Sequence, residues 1–235
     1  MDDVFDRVFA GESAIQKVQI EANGLQIEAN GLRSDMLLSP VDFDPGHLIP
    51  KPPGRYMARA SKMAVVAAHH ALERSGLLVS GVGPAEAGIY IGCGLGGSEE
   101  LQAHYERYLA DPPRRLRAAT TPMIMASGPA SHISMTYGIT GPSVTYSIAC
   151  VSSAVAIGEA FRAIRHGYLD TVLAGGAEAQ LNTGTLAGWR ELSVLATEHA
   201  TGAEASSRPF DGLALRSVVF VPFPPQECLS QRRWR

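Results

Sequence analysis

Cys150 stands where two kinds of local sequence meet. Ahead of it, Ser143-Val144-Thr145-Tyr146-Ser147 carries the β-branched and aromatic residues of a strand. After it, Ala154, Ile157, Phe161 and Ile164 recur at three- and four-residue spacings, which predicts a helix from Val151 to His166 closed by Gly167. A thiol at such a junction meets unpaired N–H groups and a partial positive charge, and both favour a thiolate. The same N–H groups can hold the oxyanion formed when a thioester is attacked. The chemistry implied is nucleophilic acyl transfer. A cysteine beside Ala149, Ser152 and Ser153 is also compatible with a buried structural thiol, and the junction by itself leaves both readings open.

Other chemistries find less support. The 235 residues suffice for one ample domain or part of a larger one. A formal net charge of −3 with no concentrated basic surface argues against nucleic acid as partner. No apolar run is long enough to span a bilayer, and Met1-Asp2-Asp3-Val4 is acidic where a signal peptide is basic, so no membrane role is expected. Cys93, Cys150 and Cys228 do not make a disulfide framework, which places the chain in a reducing, cytoplasmic setting. The histidines offer no metal site: His69 and His70 are adjacent and lie on different helix faces, and no HExxH-like spacing occurs. Gly94 to Gly97 and Gly175-Gly176 follow neither dinucleotide nor P-loop spacing and read as close-packing glycines, so no cofactor is expected.

Several elements must position Cys150. Met57 to Ser75 is Ala-rich, lacks internal Gly or Pro, and stops at Gly76, a helix with its cap. Ala87 to Gly92 is a buried strand entering the loop Cys93-Gly94-Leu95-Gly96-Gly97. Ser98 to Leu109 is a helix with Ser98 as N-cap, and Thr121 to Tyr137 is helical with a break near Gly128-Pro129. Tyr168 to Ala174 is a further strand running into Gly175-Gly176. Strands alternating with helices predict an α/β layered architecture. Ahead of these, Gln19 to Leu25 is repeated as Gln26 to Leu32; the Asn-Gly in each copy marks a turn, so one copy is expected in a loop.

Gly141-Pro142-Ser143-Val144, Ile148-Ala149-Cys150-Val151-Ser152-Ser153, Ala156-Ile157-Gly158-Glu159-Ala160, Ile164 to Gly167 and Asp170 to Glu178 together resemble the active-site stretch of β-ketoacyl synthases. Weaker similarity covers Arg55 to Leu77, Gly88 to Gly97, Pro122 to Gly138 and Ser207-Arg208-Pro209-Phe210-Asp211. The resemblance implies a thiolase-like layered α/β fold, of which this chain holds the N-terminal half without the first strand. It implies decarboxylative Claisen condensation in fatty-acid or polyketide biosynthesis. Cys150 would take an acyl chain from acyl carrier protein and pass it to a malonyl-carrier carbanion. It further implies a homodimer or a synthase partner subunit, with Ser143 to Ser147 pairing across the dimer axis. Met125 falls near the position that limits acyl-chain depth in the family, where a plain core methionine is an equal reading. Arg114, Arg115 and Arg117 would face an acidic carrier protein or simply solvent.

The pattern also breaks. A family domain is expected over residues 1–211, followed by a tail at 212–235 that matches no family segment and reads as frameshifted or disordered. The two histidines and the lysine that the family uses to stabilise the carbanion belong to segments absent here, and the seven histidines of this chain lie outside those motifs. Two alternatives follow: a non-catalytic synthase-like fragment that only dimerises, and a thiolase acting on coenzyme A esters. The Ala-Cys-Val-Ser-Ser context and the Ser-Arg-Pro-Phe-Asp landmark disfavour the second.

Overall fold

The structure, a computed structural model, describes residues 6, 7, 9–18, 36–110, 112 and 115–207, together with the backbone of 228–231. The repeat at Gln19–Leu32, Arg114, most of the Ser207–Asp211 landmark and most of the 212–235 tail lie outside the described residues. Two compact units divide the chain: Met1–Val41 with Leu181–Pro222, and Asp42–Gln180 with Phe223–Arg235.

In the first unit, β1 (Gln16–Val18) pairs antiparallel with β2 (Met36–Leu38), Gln16 opposite Leu38. Met36 and Leu38, two positions apart and so on one strand face, bury against Leu186, with Leu181 and Leu195 packed beside them.

The second unit carries the site. It opens with the short α1 (Lys51–Gly54), then α2 (Arg59–Arg74), β3 (Gly88–Gly92), α3 (Ser98–Leu109), α4 (Thr120–Ile124), α5 (Gly128–Tyr137), β4 (Ser143–Tyr146), α6 (Ser152–Arg165) and β5 (Thr171–Gly176). Residues Cys228–Gln231 of the tail form β6. In the first unit α7 (Thr183–Glu191) is capped where the Asn182 side chain accepts the Thr185 N–H at 3.0 Å.

The sheet of the second unit runs β4-β3-β5-β6. β3 is parallel to both neighbours, with Ile89 opposite Ser143 and Leu173, while β6 is antiparallel to β5. Alternation along the strands divides the two faces. Ile89, Ile91 and Leu173 join Val65, Ala68 and Leu72 of α2 and Ile133 and Tyr137 of α5 in one cluster. Tyr90, Val172 and Ala174 join Ile157, Ala160 and Ile164 of α6 in another. Helices on both faces of a largely parallel sheet make a three-layer α/β unit, as the sequence predicts. Tyr137 ties the first face together by donating its hydroxyl to the Val65 carbonyl at 3.0 Å inside the core.

Three details depart from expectation. Gly97, rather than Ser98, occupies the cap of α3, and Ser98 is its first helical residue. β5 begins at Thr171, three residues later than Tyr168, and extends through Gly176. The apolar stripe of α6 holds in part: Ile157 and Ile164 pack toward the sheet, but Ala156, Ala160 and Ala163 are the buried residues, whereas Phe161 is 56% exposed and Ala154 faces solvent. Small residues win the sheet-facing positions because they allow the helix to approach closely. Among the described residues no helix is long and apolar enough to cross a membrane.

Candidate active site

β4 ends at Tyr146 and α6 begins at Ser152, leaving Cys150 in a five-residue turn between them. Cys150 is an exposed free cysteine. The turn is sharp because Ala149 adopts φ +48°, a left-handed conformation unfavourable for a residue with a β-carbon. Ser152 holds it there. Its hydroxyl accepts the Ile148 N–H at 2.8 Å and donates to the Ala149 carbonyl at 2.6 Å. The Ser152 and Val151 amides add bonds back to Ala149 and Ile148 at 3.2 and 3.3 Å.

The start of α6 presses onto the sheet at two glycines. A β-carbon at Gly92, the end of β3, would collide with the Ser152 carbonyl and the Ser153 amide, the Ser152 oxygen lying 2.6 Å away. One at Gly176, the end of β5, would overlap the Ser153 hydroxyl and stand 2.9 Å from the Gly92 oxygen. Gly176, which the sequence marks as a close-packing glycine, and Gly92, which it does not, are thus what lets the cysteine-bearing helix sit at the strand ends.

The loop after β3 is fixed from several sides. The Cys93 N–H donates to the Tyr146 carbonyl at 3.0 Å, and the Ser147 hydroxyl donates to the Gly94 carbonyl at 3.2 Å. The N–H groups of Gly94 and Leu95 donate to Glu178 Oε2 at 2.7 and 3.0 Å. Gly97 donates to the Ile124 carbonyl at 3.3 Å. The same loop therefore touches the segment before Cys150 and the segment before Met125. Met125 itself lies between α4 and α5, 52% exposed, its carbonyl accepting the Gly128 N–H at 3.0 Å.

The second cysteine of the region behaves differently. Cys93 is buried, and its thiol is pushed up to about 12 by burial first and the negative Glu178 second, against a weaker lowering effect of the Gly96 amide. Cys93 stays a protonated thiol, inert as a nucleophile. His104 is buried on α3, His132 is half-buried on α5 with its protonation disfavoured by burial, and His199 bonds to Thr201 in the first unit. Among the described residues no group of three or more His, Cys, Asp or Glu side chains is placed to hold a metal. Arg115 and Arg117 are exposed.

From the sequence Glu178 reads only as a structural carboxylate, and no motif there marks Ser147 and Ser152 as the side chains whose bonds shape the turn. Serines on either side of a strand-to-helix cysteine were the available signal.

Residues 1–217 match the model of the β-ketoacyl synthase N-terminal domain. The chain belongs to the β-ketoacyl synthase family. Nodulation protein E of Rhizobium leguminosarum bv. trifolii is 36% identical over 154 residues, covering 66% of this chain and 38% of that protein. The 3-oxoacyl-(acyl-carrier-protein) synthase 2 of Staphylococcus aureus strain N315 is 30% identical over 162 residues, 69% of this chain and 39% of that enzyme. The chain therefore spans about two fifths of the length of these curated relatives. A β-ketoacyl synthase from Burkholderia phymatum STM815 superimposes with a TM-score of 0.73 at 24% identity, over 92% of this chain and 51% of that one. The fold is thiolase-like, and this chain covers the N-terminal part of it.

Proposed function

We propose that this chain carries the acyl-accepting thiol of a β-ketoacyl synthase, Cys150, and acts in fatty-acid or polyketide biosynthesis. The observation that carries the reading is the exposed Cys150 thiol on a left-handed turn at the start of α6, inside a family-matched segment. The Cys150 thiolate attacks the carbonyl carbon of an acyl group on the phosphopantetheine arm of acyl carrier protein. The tetrahedral oxyanion collapses and expels the phosphopantetheine thiolate, leaving an acyl-Cys150 thioester. In the complete reaction a malonyl-carrier group loses carbon dioxide and its carbanion attacks that thioester, releasing the Cys150 thiolate. Met125 lies beside the loop that abuts this turn and is proposed to line the acyl pocket. A reducing compartment, the cytoplasm, keeps the thiol available.

The partner surface follows from the edge of the sheet. Among the described residues β4 has β3 on one side only, Val144 and Ser143 are exposed, and Phe161 projects from the neighbouring α6. An unpaired strand edge beside an exposed aromatic invites a second synthase chain, either a copy of this one or a partner subunit. A second reading, a synthase-like subunit that pairs without catalysis, rests on this same surface.

The experiment is a two-stage assay with purified full chain. Labelled acyl-carrier protein is supplied first, with Cys150→Ala as control, and malonyl-carrier protein second. Label transfer that depends on Cys150 supports the acyl-accepting reading. Its absence, with the chain still associating into dimers, supports the pairing-only subunit.

A further inference from the structure

We propose that Glu178 is a positioning residue for Cys150, acting through the Gly94–Leu95 peptide and Ser147. The inference rests on reading Cys150 as the nucleophile and adds a residue that holds it in place. Glu178 lies 84 positions from Gly94 in the chain, yet its Oε2 accepts the N–H of Gly94 at 2.7 Å and that of Leu95 at 3.0 Å. The Leu95 N–H and the Gly94 carbonyl belong to one peptide plane. That plane donates to the Glu178 carboxylate at one end and accepts the Ser147 hydroxyl at 3.2 Å at the other. A carboxylate polarises the peptide it binds, so the carbonyl on the far side becomes a stronger acceptor.

Ser147 is the last residue before the turn of Ile148, Ala149 and Cys150. Ala149, at φ +48°, keeps its unfavourable backbone only while both ends of the turn are held. Ser152 clamps the turn itself, from the Ile148 N–H to the Ala149 carbonyl, and the Glu178–Gly94–Ser147 chain anchors the residue ahead of Ile148. The other carboxylate oxygen, Glu178 Oε1, is buried and takes no hydrogen bond among the described residues. The orientation of the carboxylate thus comes from the two loop amides, and its effect is delivered to that loop.

The test is a double-mutant cycle read on the thiol itself. Full-length wild type, Glu178→Gln, Ser147→Ala and the double variant are treated with iodoacetamide at about pH 8, where solvent-facing thiols are partly ionised. Modification is followed separately at Cys150 and Cys93 by peptide mass, with Cys150→Ala as the baseline. Each single substitution is expected to slow Cys150 alkylation about fivefold, the loss of one hydrogen bond, and the double variant to be no slower than the slower single. Cys93 is expected to stay unmodified throughout. Slowing factors that multiply in the double variant, or an unchanged rate in Glu178→Gln, overturn the proposal. So does modification of Cys93 in Ser147→Ala, where the Glu178 charge is intact and labelling signals general loosening. Should Glu178→Gln fold poorly, Ser147→Ala at its exposed position still must slow Cys150, and an unchanged rate there is equally fatal. No carrier protein enters this assay, so a failed acyl transfer and a failed cycle are separate results.

Discussion

Ser152 locks Ala149: the serine hydroxyl donates to the Ala149 carbonyl at 2.6 Å while accepting the Ile148 N–H at 2.8 Å, and the alanine between them stands at φ +48°. One buried side chain thereby satisfies the backbone on both sides of the strained residue.

Replacing Ser152 by Ala leaves the Ile148 N–H and the Ala149 carbonyl without this partner. The expected loss is about 1–2 kcal/mol in urea unfolding, together with slower alkylation of Cys150. A variant as stable and as reactive as wild type would show that the turn is held by something else.

Gly92 tests the seating of α6 on the sheet. An added methyl meets backbone atoms of Ser152 and Ser153, which cannot move aside without shifting the helix start. Gly92→Ala is expected to cost about 1–3 kcal/mol, the usual range for overpacking. Thermal unfolding against wild type checks this, with Gly158→Ala as the control, since a β-carbon there meets nothing within 4 Å.

The layered fold was legible because its helices and strands are strongly punctuated: Gly76, Gly138 and Gly167 all take positive φ just past α2, α5 and α6. The position of Cys150 was legible from the change of period across it. The facing of α6 was legible only at Ile157 and Ile164, because periodicity marks Phe161 and the alanines alike as apolar and cannot tell which of them a sheet selects. Nor could sequence show that Glu178 reaches Gly94, since that bond joins two distant loops brought together only by β3 and β5 pairing. The tail read as foreign to the family contributes residues 228–231 to the sheet as β6, a pairing its composition does not announce.

Cys93 gives the pH dependence. Its folded thiol is pushed up to about 12, from an ordinary value of 9.0, because burial and Glu178 oppose ionisation. The unfolded chain therefore loses this proton first. The associated stability is fully present below pH 9 and is lost as pH rises toward 12. Urea midpoints measured upward from neutral pH are expected to fall across that window, and Cys93→Ala is expected to flatten the fall. An identical slope in the variant would assign the alkaline loss to other groups.

The central claim is that Cys150 accepts an acyl group as a thioester. Its most direct measurement is the intact mass of the purified chain after incubation with acyl-carrier protein, followed by peptide mapping and release with neutral hydroxylamine. The account predicts one added acyl group, located at Cys150, removed by hydroxylamine and absent from Cys150→Ala. An unmodified wild-type chain, or an adduct that persists in Cys150→Ala, would contradict it.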